Sequence, residues 1–117
     1  MVGGRCNDIG VSAVYAAEHA SLALVEVLVH VDRSEVPGDY VLMGIRVPNK
    51  RFPESSPEAA KQISHLRAEP FLRVRSVVVP RELNYVLYPE ATNFEAAVEF
   101  IEPFEFDTRL FVRTRIV

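Results

Sequence analysis

The sequence has one cysteine, no tryptophan and no hydrophobic run that approaches the length of a bilayer span. Cys6 alone can form no intrachain disulfide and cannot build a multi-cysteine metal site. A membrane-crossing helix needs about 18–20 consecutive apolar residues, so none is expected. The opening MVGGRCND lacks the charged start and apolar core of a secretory signal. An excess of positive charge is also missing. The formal net charge is −3 and the 13 Lys and Arg residues are spread along the chain, which argues against direct nucleic-acid binding. Together these absences favour a reducing, cytoplasmic setting without a membrane partner. The phosphate-cradling patterns GxGxxG and GxxxxGK(S/T) do not occur, nor does the GxSxG elbow of serine hydrolases.

What is present is the composition of a globular protein. Its 117 residues are 49% hydrophobic and 25% charged, enough to bury a core in one domain spanning 1–117. No repeat, low-complexity tract or linker divides it. SAVYAA (Ser12 to Ala17) reads as a short buried strand, and Glu18 to Val31 as a helix with Glu18 at its electropositive end. Pro37-Gly38-Asp39 signals a turn into a strand, YVLMGIRV, from Tyr40 to Val47. Ser56-Pro57 ahead of EAAKQISHL has the form of an N-cap, a first-turn proline and a short helix.

FLRVRSVVV (Phe71 to Val79) is the strongest strand by β-branched content, with Leu72, Val74, Ser76 and Val78 on its inward side. NYVLYPE is a further strand, NFEAA a turn of helix, Val98 to Phe106 an imperfectly alternating strand in which Pro103 suggests an edge or a bend, and RLFVRTRIV a last strand or ordered tail. The later strands come without crossover helices. An α+β domain with a mixed, largely antiparallel sheet and a few helices is therefore expected.

Four residues stand out. Glu26 lies inside ASLALVEVLVHV, and a carboxylate removed from water needs a partner or a purpose. On a helix it shares a face with His19, Leu22 and His30, and periodicity alone is met by an ordinary i,i+4 pair with His30. The two histidines and Glu26 match no metal-ligand signature, so no metal is expected. Arg5 follows two glycines, where the backbone allows close approach and a guanidinium suits a pyrophosphate. It also stands close to Met1, where a chain frays readily. Tyr15 reads as a core aromatic with a partnered hydroxyl, and Ser76 as a buried serine bonded to backbone. Cys6 has no histidine partner fixed by sequence, which makes thiol catalysis remote.

Taken in order, these residues form a pattern. GGRCNDIGVSAVYAAEHASLALVEVLVH resembles the opening of the RES-domain toxins of bacterial toxin–antitoxin systems: a GGRWN-like stretch, a strand ending in tyrosine and a helix reading ALAxxEVLVH. RVRSVVVPRELNYVLYP is similar to their LRVPSxVxPxExNxLxNP segment, and FEFDTRL to their FxFDxRL close. The resemblance is collinear over nearly the whole chain. It identifies Arg5, Tyr15, Glu26 and Ser76 with the family's arginine, tyrosine, glutamate and serine.

The resemblance implies a fold related to ADP-ribosyltransferases and a site that binds NAD+ as substrate and breaks the nicotinamide–ribose bond. Cleavage would proceed by hydrolysis or phosphorolysis, or with transfer of ADP-ribose to a protein. In that site Glu26 would stabilise the developing ribosyl cation and Arg5 would hold the pyrophosphate or carboxamide end. Tyr15 would stack on nicotinamide or close the pocket, and Ser76 would bond ribose or amide. Glu26, Arg5 and Ser76 are then the catalytic candidates, and Tyr15 joins them in binding. The partners implied are a helix-turn-helix antitoxin and, in some arrangements, a second copy of the chain. The chain departs from the family pattern at Cys6, where Trp is usual, and at Arg75, where Pro is usual. Tyr88 to Thr92 replaces the segment where a His commonly follows. Family members also carry a segment before the GGR stretch that is expected to be lacking here. The alternative is a shortened, inactive member that serves as an interaction domain for its antitoxin.

Overall fold

The computed structural model describes residues 4–32 and 34–111, and within them five strands and two α-helices form a small α+β fold. Strand β1 (Val14–Ala17), helix α1 (Ala20–Leu28), strand β2 (Val41–Arg46) and helix α2 (Pro57–Leu66) precede three consecutive strands. These are β3 (Phe71–Arg75), β4 (Leu83–Leu87) and β5 (Ala97–Pro103), after which Thr108–Leu110 makes a single 3-10 turn. All strand pairs are antiparallel. One sheet has the order β1-β4-β3, and β2 pairs with β5 in a separate ribbon. A lone parallel bridge links Glu54 to Arg73.

Helix α2 has the bounds its sequence signals. The Ser56 hydroxyl accepts a hydrogen bond from the Ala59 amide at 3.2 Å, Pro57 occupies the first helical position, and Arg67 closes the helix in the left-handed region with φ 51°. Helix α1 is shorter than expected. Ala16 and Ala17 stay in the ladder with β4, so Glu18 and His19 become the link and Glu18 is not in the helix's first turn.

Strand β3 also stops short. The Ser76 hydroxyl accepts from the amides of Val78 (3.2 Å) and Val79 (2.9 Å), which turns the chain and leaves Val77 69% exposed. A serine's local bonds to backbone here override the strand preference of three valines. NFEAA is not helical: Asn93 takes a left-handed conformation, φ 63°, and Phe94 stacks against Phe71. Strand β5 is an edge with Pro103 at its end, as the proline demands. The expected closing strand over 109–117 falls for the most part outside the described residues.

The core follows from strand alternation. Leu72, Val74, Val86 and Tyr88 lie on one face of the three-stranded sheet with Cys6, Val11 and Ala60, all nearly inaccessible. Phe71 and Leu87 cover the other face beneath Phe52, with Tyr85 and Phe94 packed around them. In the β2–β5 ribbon Gly44 faces the Phe100 ring so closely that a Cβ would run into it. Glycine is what allows that ring to lie flat across its partner strand.

Candidate active site

Position 26 is carried inward by its helix. Leu22, one turn earlier on the same face, is 2% exposed and anchors α1, so Glu26 follows it toward the sheet. There its Oε1 accepts two hydrogen bonds, from the Ser76 hydroxyl at 2.6 Å and from the Asn84 side-chain amide at 3.0 Å. Both donors are buried, Ser76 at 2% and Asn84 at 7% exposure. The expected i,i+4 pairing with His30 is not what holds the carboxylate. Glu26 is drawn across to the end of β3 and to β4, and His30 contributes only a weaker electrostatic effect.

Burial pushes the Glu26 carboxyl up, but the bonds from Ser76 and Asn84, aided by Arg5 and His30, outweigh it. The net result lies below the ordinary value of 4.5, so the group is ionised at neutral pH.

The carboxylate faces a cleft of about 860 Å³. Small and branched side chains, including Ala16, Ala17, Ala23, Val27 and Val78, make most of its wall, with Tyr40 and His30 also lining it. Arg5 and Tyr15 stand in the same lining. A few polar groups set in an apolar concavity are the usual make-up of a small-molecule site.

Arg5 reaches the cleft from a tight turn whose Gly4 amide donates to the Asn7 carbonyl at 2.8 Å. The Tyr15 hydroxyl fastens that turn: it donates to Asn7 Oδ1 and accepts from the Cys6 amide at 3.0 Å. Tyr88, from the core, donates to the Cys6 carbonyl at 2.7 Å. A Cβ on residue 4 would come within 2.7 Å of the Tyr15 hydroxyl, so only glycine admits this packing. The turn is therefore tied down rather than frayed, although the Arg5 side chain remains exposed. Burial also raises the Cys6 thiol, against a smaller pull from Arg5, and its complete inaccessibility removes it as a nucleophile.

Arg5, Tyr15 and Glu26 thus meet at one cleft. Ser76 lies beneath it, with its hydroxyl committed to Glu26 and to two backbone amides. Asn84, which bonds Glu26 and lines the cleft, is the residue of this arrangement that sequence reasoning missed. A signal existed: alternation in NYVLY puts this amide on the same face as Val86 and Tyr88, a polar group in an apolar row. Among the described residues no group of three or more His, Cys, Asp or Glu could hold a metal ion. No helix among them is long and apolar enough to cross a membrane.

Comparison with known proteins matches residues 1–68 to the family described as the RES domain. The chain is similar to a Toxin Res of Photorhabdus laumondii, 33% identical over 94% of this chain and 83% of that protein. A Toxin Res of Yersinia enterocolitica is 28% identical over 92% of this chain and 84% of the relative. A Prs ADP-ribosylating toxin of a Sphingobium species is 31% identical over 76% and 68%, respectively.

Proposed function

The chain belongs to the RES domain family, and on that premise we propose that it is a toxin that consumes NAD+ by cleaving the bond between nicotinamide and ribose. The observation that carries this reading is an ionised carboxylate held by two buried donors in a largely apolar cleft with a guanidinium at its rim. When the carbon–nitrogen bond breaks, its electron pair leaves with nicotinamide and neutralises the pyridinium, and the ribose carbon becomes cationic. A fixed negative charge beside that carbon favours the transition state over the ground state. Glycosidases use a carboxylate for the same purpose. An oxygen of the acceptor then bonds to the carbon and releases its proton.

Arg5 would grip the pyrophosphate, for which a guanidinium's paired donors are suited. The exposed ring of Tyr15 would lie against a flat heterocycle. Water, phosphate or a protein side chain could serve as acceptor, and the relative named as an ADP-ribosylating toxin supports transfer to protein. The same reading carries a neutralising helix-turn-helix antitoxin that covers the cleft.

Loss of NAD+ and release of nicotinamide by the purified chain test the proposal, with phosphate varied and Glu26→Ala run alongside. Turnover is expected from the unaltered protein, falling by about a hundredfold to a thousandfold in Glu26→Ala. Dependence on phosphate would identify phosphorolysis, and label retained on protein would identify transfer. A folded chain that leaves NAD+ intact in every arm would overturn the reading in favour of an interaction domain.

A further inference from the structure

The Asn84 amide is oriented by Glu26. An ionised carboxylate offers only acceptors, so the amide must present its N–H, and Nδ2 donates to Oε1 at 3.0 Å. Its other end is then left over: Asn84 Oδ1 is buried and has no hydrogen-bond partner among the described residues. A buried acceptor without a partner is destabilising, and native structures hold few of them. The strand packing around this position does not call for an amide. Its neighbours on the same face of β4 and β3 are Val86 and Val74, both fully buried, and an aliphatic side chain would continue that row.

The backbone of Asn84 is also among the most firmly held in the fold. It sits in the central strand, paired with Ala17 of β1 on one side and Val74 of β3 on the other. Ser76 by contrast lies just past the end of β3, in a turn.

We propose that Asn84 is a positioning residue: it ties the Glu26 carboxylate to the centre of the sheet, and its unpaired carbonyl oxygen is the stability given up for that tie. Ser76 and Asn84 converge on one oxygen, which fixes the rotation of the carboxylate and turns Oε2 away from both donors. Asn84 lines the cleft as well, with its Oδ1 buried and its amide nitrogen bonded to Glu26. Its effect runs through the charge and direction of Glu26, and the catalytic part of this inference rests on the NAD+-cleaving reading above.

Two variants of the full chain, Asn84→Leu and Asn84→Ala, test it with two independent readouts. The first is the titration of the Glu26 carboxyl carbon followed by NMR in the absence of any ligand. The second is kcat and KM for NAD+ across pH. Removing the amide donor is expected to move the Glu26 titration to higher pH in both variants. It should lower kcat about tenfold to a hundredfold with a much smaller change in KM, since a displaced catalytic group loses rate rather than affinity. The acid limb of the activity profile should shift with the carboxyl titration. The thermal midpoint of Asn84→Leu should be no lower than that of the unaltered chain.

Asn84→Ala adds no bulk, so it keeps the test decisive if leucine does not fit. An unmoved Glu26 titration in the folded alanine variant, with or without a fall in thermal midpoint, would make Asn84 a structural residue and overturn the proposal. If the unaltered chain consumes no NAD+, the functional reading fails, and the carboxyl titration still decides whether Asn84 holds Glu26.

Discussion

At the floor of the cleft Glu26 is held by two donors that are almost completely buried, whereas at the rim Arg5 is exposed and Tyr15 keeps 46% of its surface open to solvent. The two regions meet different physical demands. A charge that must stabilise a fleeting cation is effective only if it is already in place, because reorienting it during the reaction would consume the gain. A residue that captures a flexible, solvated dinucleotide can order on contact, and needs its charge displayed. The rim is organised all the same, but at its backbone. Tyr15 and Asn7 fix the Arg5 turn and leave the guanidinium exposed.

The contrast breaks most sharply at Ser76. Ser76→Ala removes a hydrogen bond to a charged group and the shared acceptor of the Val78 and Val79 amides. A stability loss of about 1–3 kcal/mol is expected from those unpaired groups, measured by denaturant unfolding at pH 7. Activity should fall further than that loss explains.

The pH dependence follows from the sign of the Glu26 shift. Its carboxyl lies below its ordinary value of 4.5 in the folded chain. The stability it contributes is therefore fully present above 4.5 and lost as pH falls through the lower, folded value. The gap between Ser76→Ala and the unaltered protein should accordingly be widest near neutrality and narrow below that range. A constant gap from neutral to acid pH would show that the Ser76 bond to Glu26 adds nothing to the ionised form.

An intermediate effect is expected at the rim. Arg5→Ala should raise KM for NAD+ about tenfold while kcat changes little, the mark of lost uniform binding. A large fall in kcat at unchanged KM would place Arg5 with the floor and erase the distinction between the two regions.

The smallest effect is expected from Tyr15→Phe, which keeps the ring at the cleft and deletes the hydroxyl. Asn7 Oδ1 and the Cys6 amide then lose their partner, and stability should drop by about 1 kcal/mol. KM should rise modestly as the Arg5 turn loosens. Equal stability and kinetics in this variant would mean that the hydroxyl does not anchor the turn.

Much of the molecule could be read from local signals where the forces are local. The Ser56-Pro57 cap specifies α2 because capping is settled within four residues, and the bond it anticipates is the one found. Strand β3 carries its alternation openly in FLRVR, with Leu72 and Val74 inaccessible as their period requires. Where two local forces compete, the reading slips. The valines after Ser76 favour a strand, but the serine's bonds to the next two amides turn the chain.

At the candidate site, the ordered pattern through Arg5, Tyr15, Glu26 and Ser76 pointed to the RES domains, and the family match, over residues 1–68, shows that membership without reaching Ser76. That same order says nothing about how the residues are held. Glu26 and His30 are adjacent on a helix, and nothing local prefers a serine 50 residues away or an asparagine 58 away.

Sequence by itself therefore determined the α+β class, the capped helix, the inward face of β3 and the membership of the RES family. Tertiary structure decided which oxygen of Glu26 is bonded and by which donors. It also decided that the Arg5 turn is clamped by Tyr15, and that Asn84 belongs to the site at all. The reason is one of range: caps and alternation depend on neighbours along the chain, whereas the state of a buried carboxylate depends on which donors the sheet register carries to it.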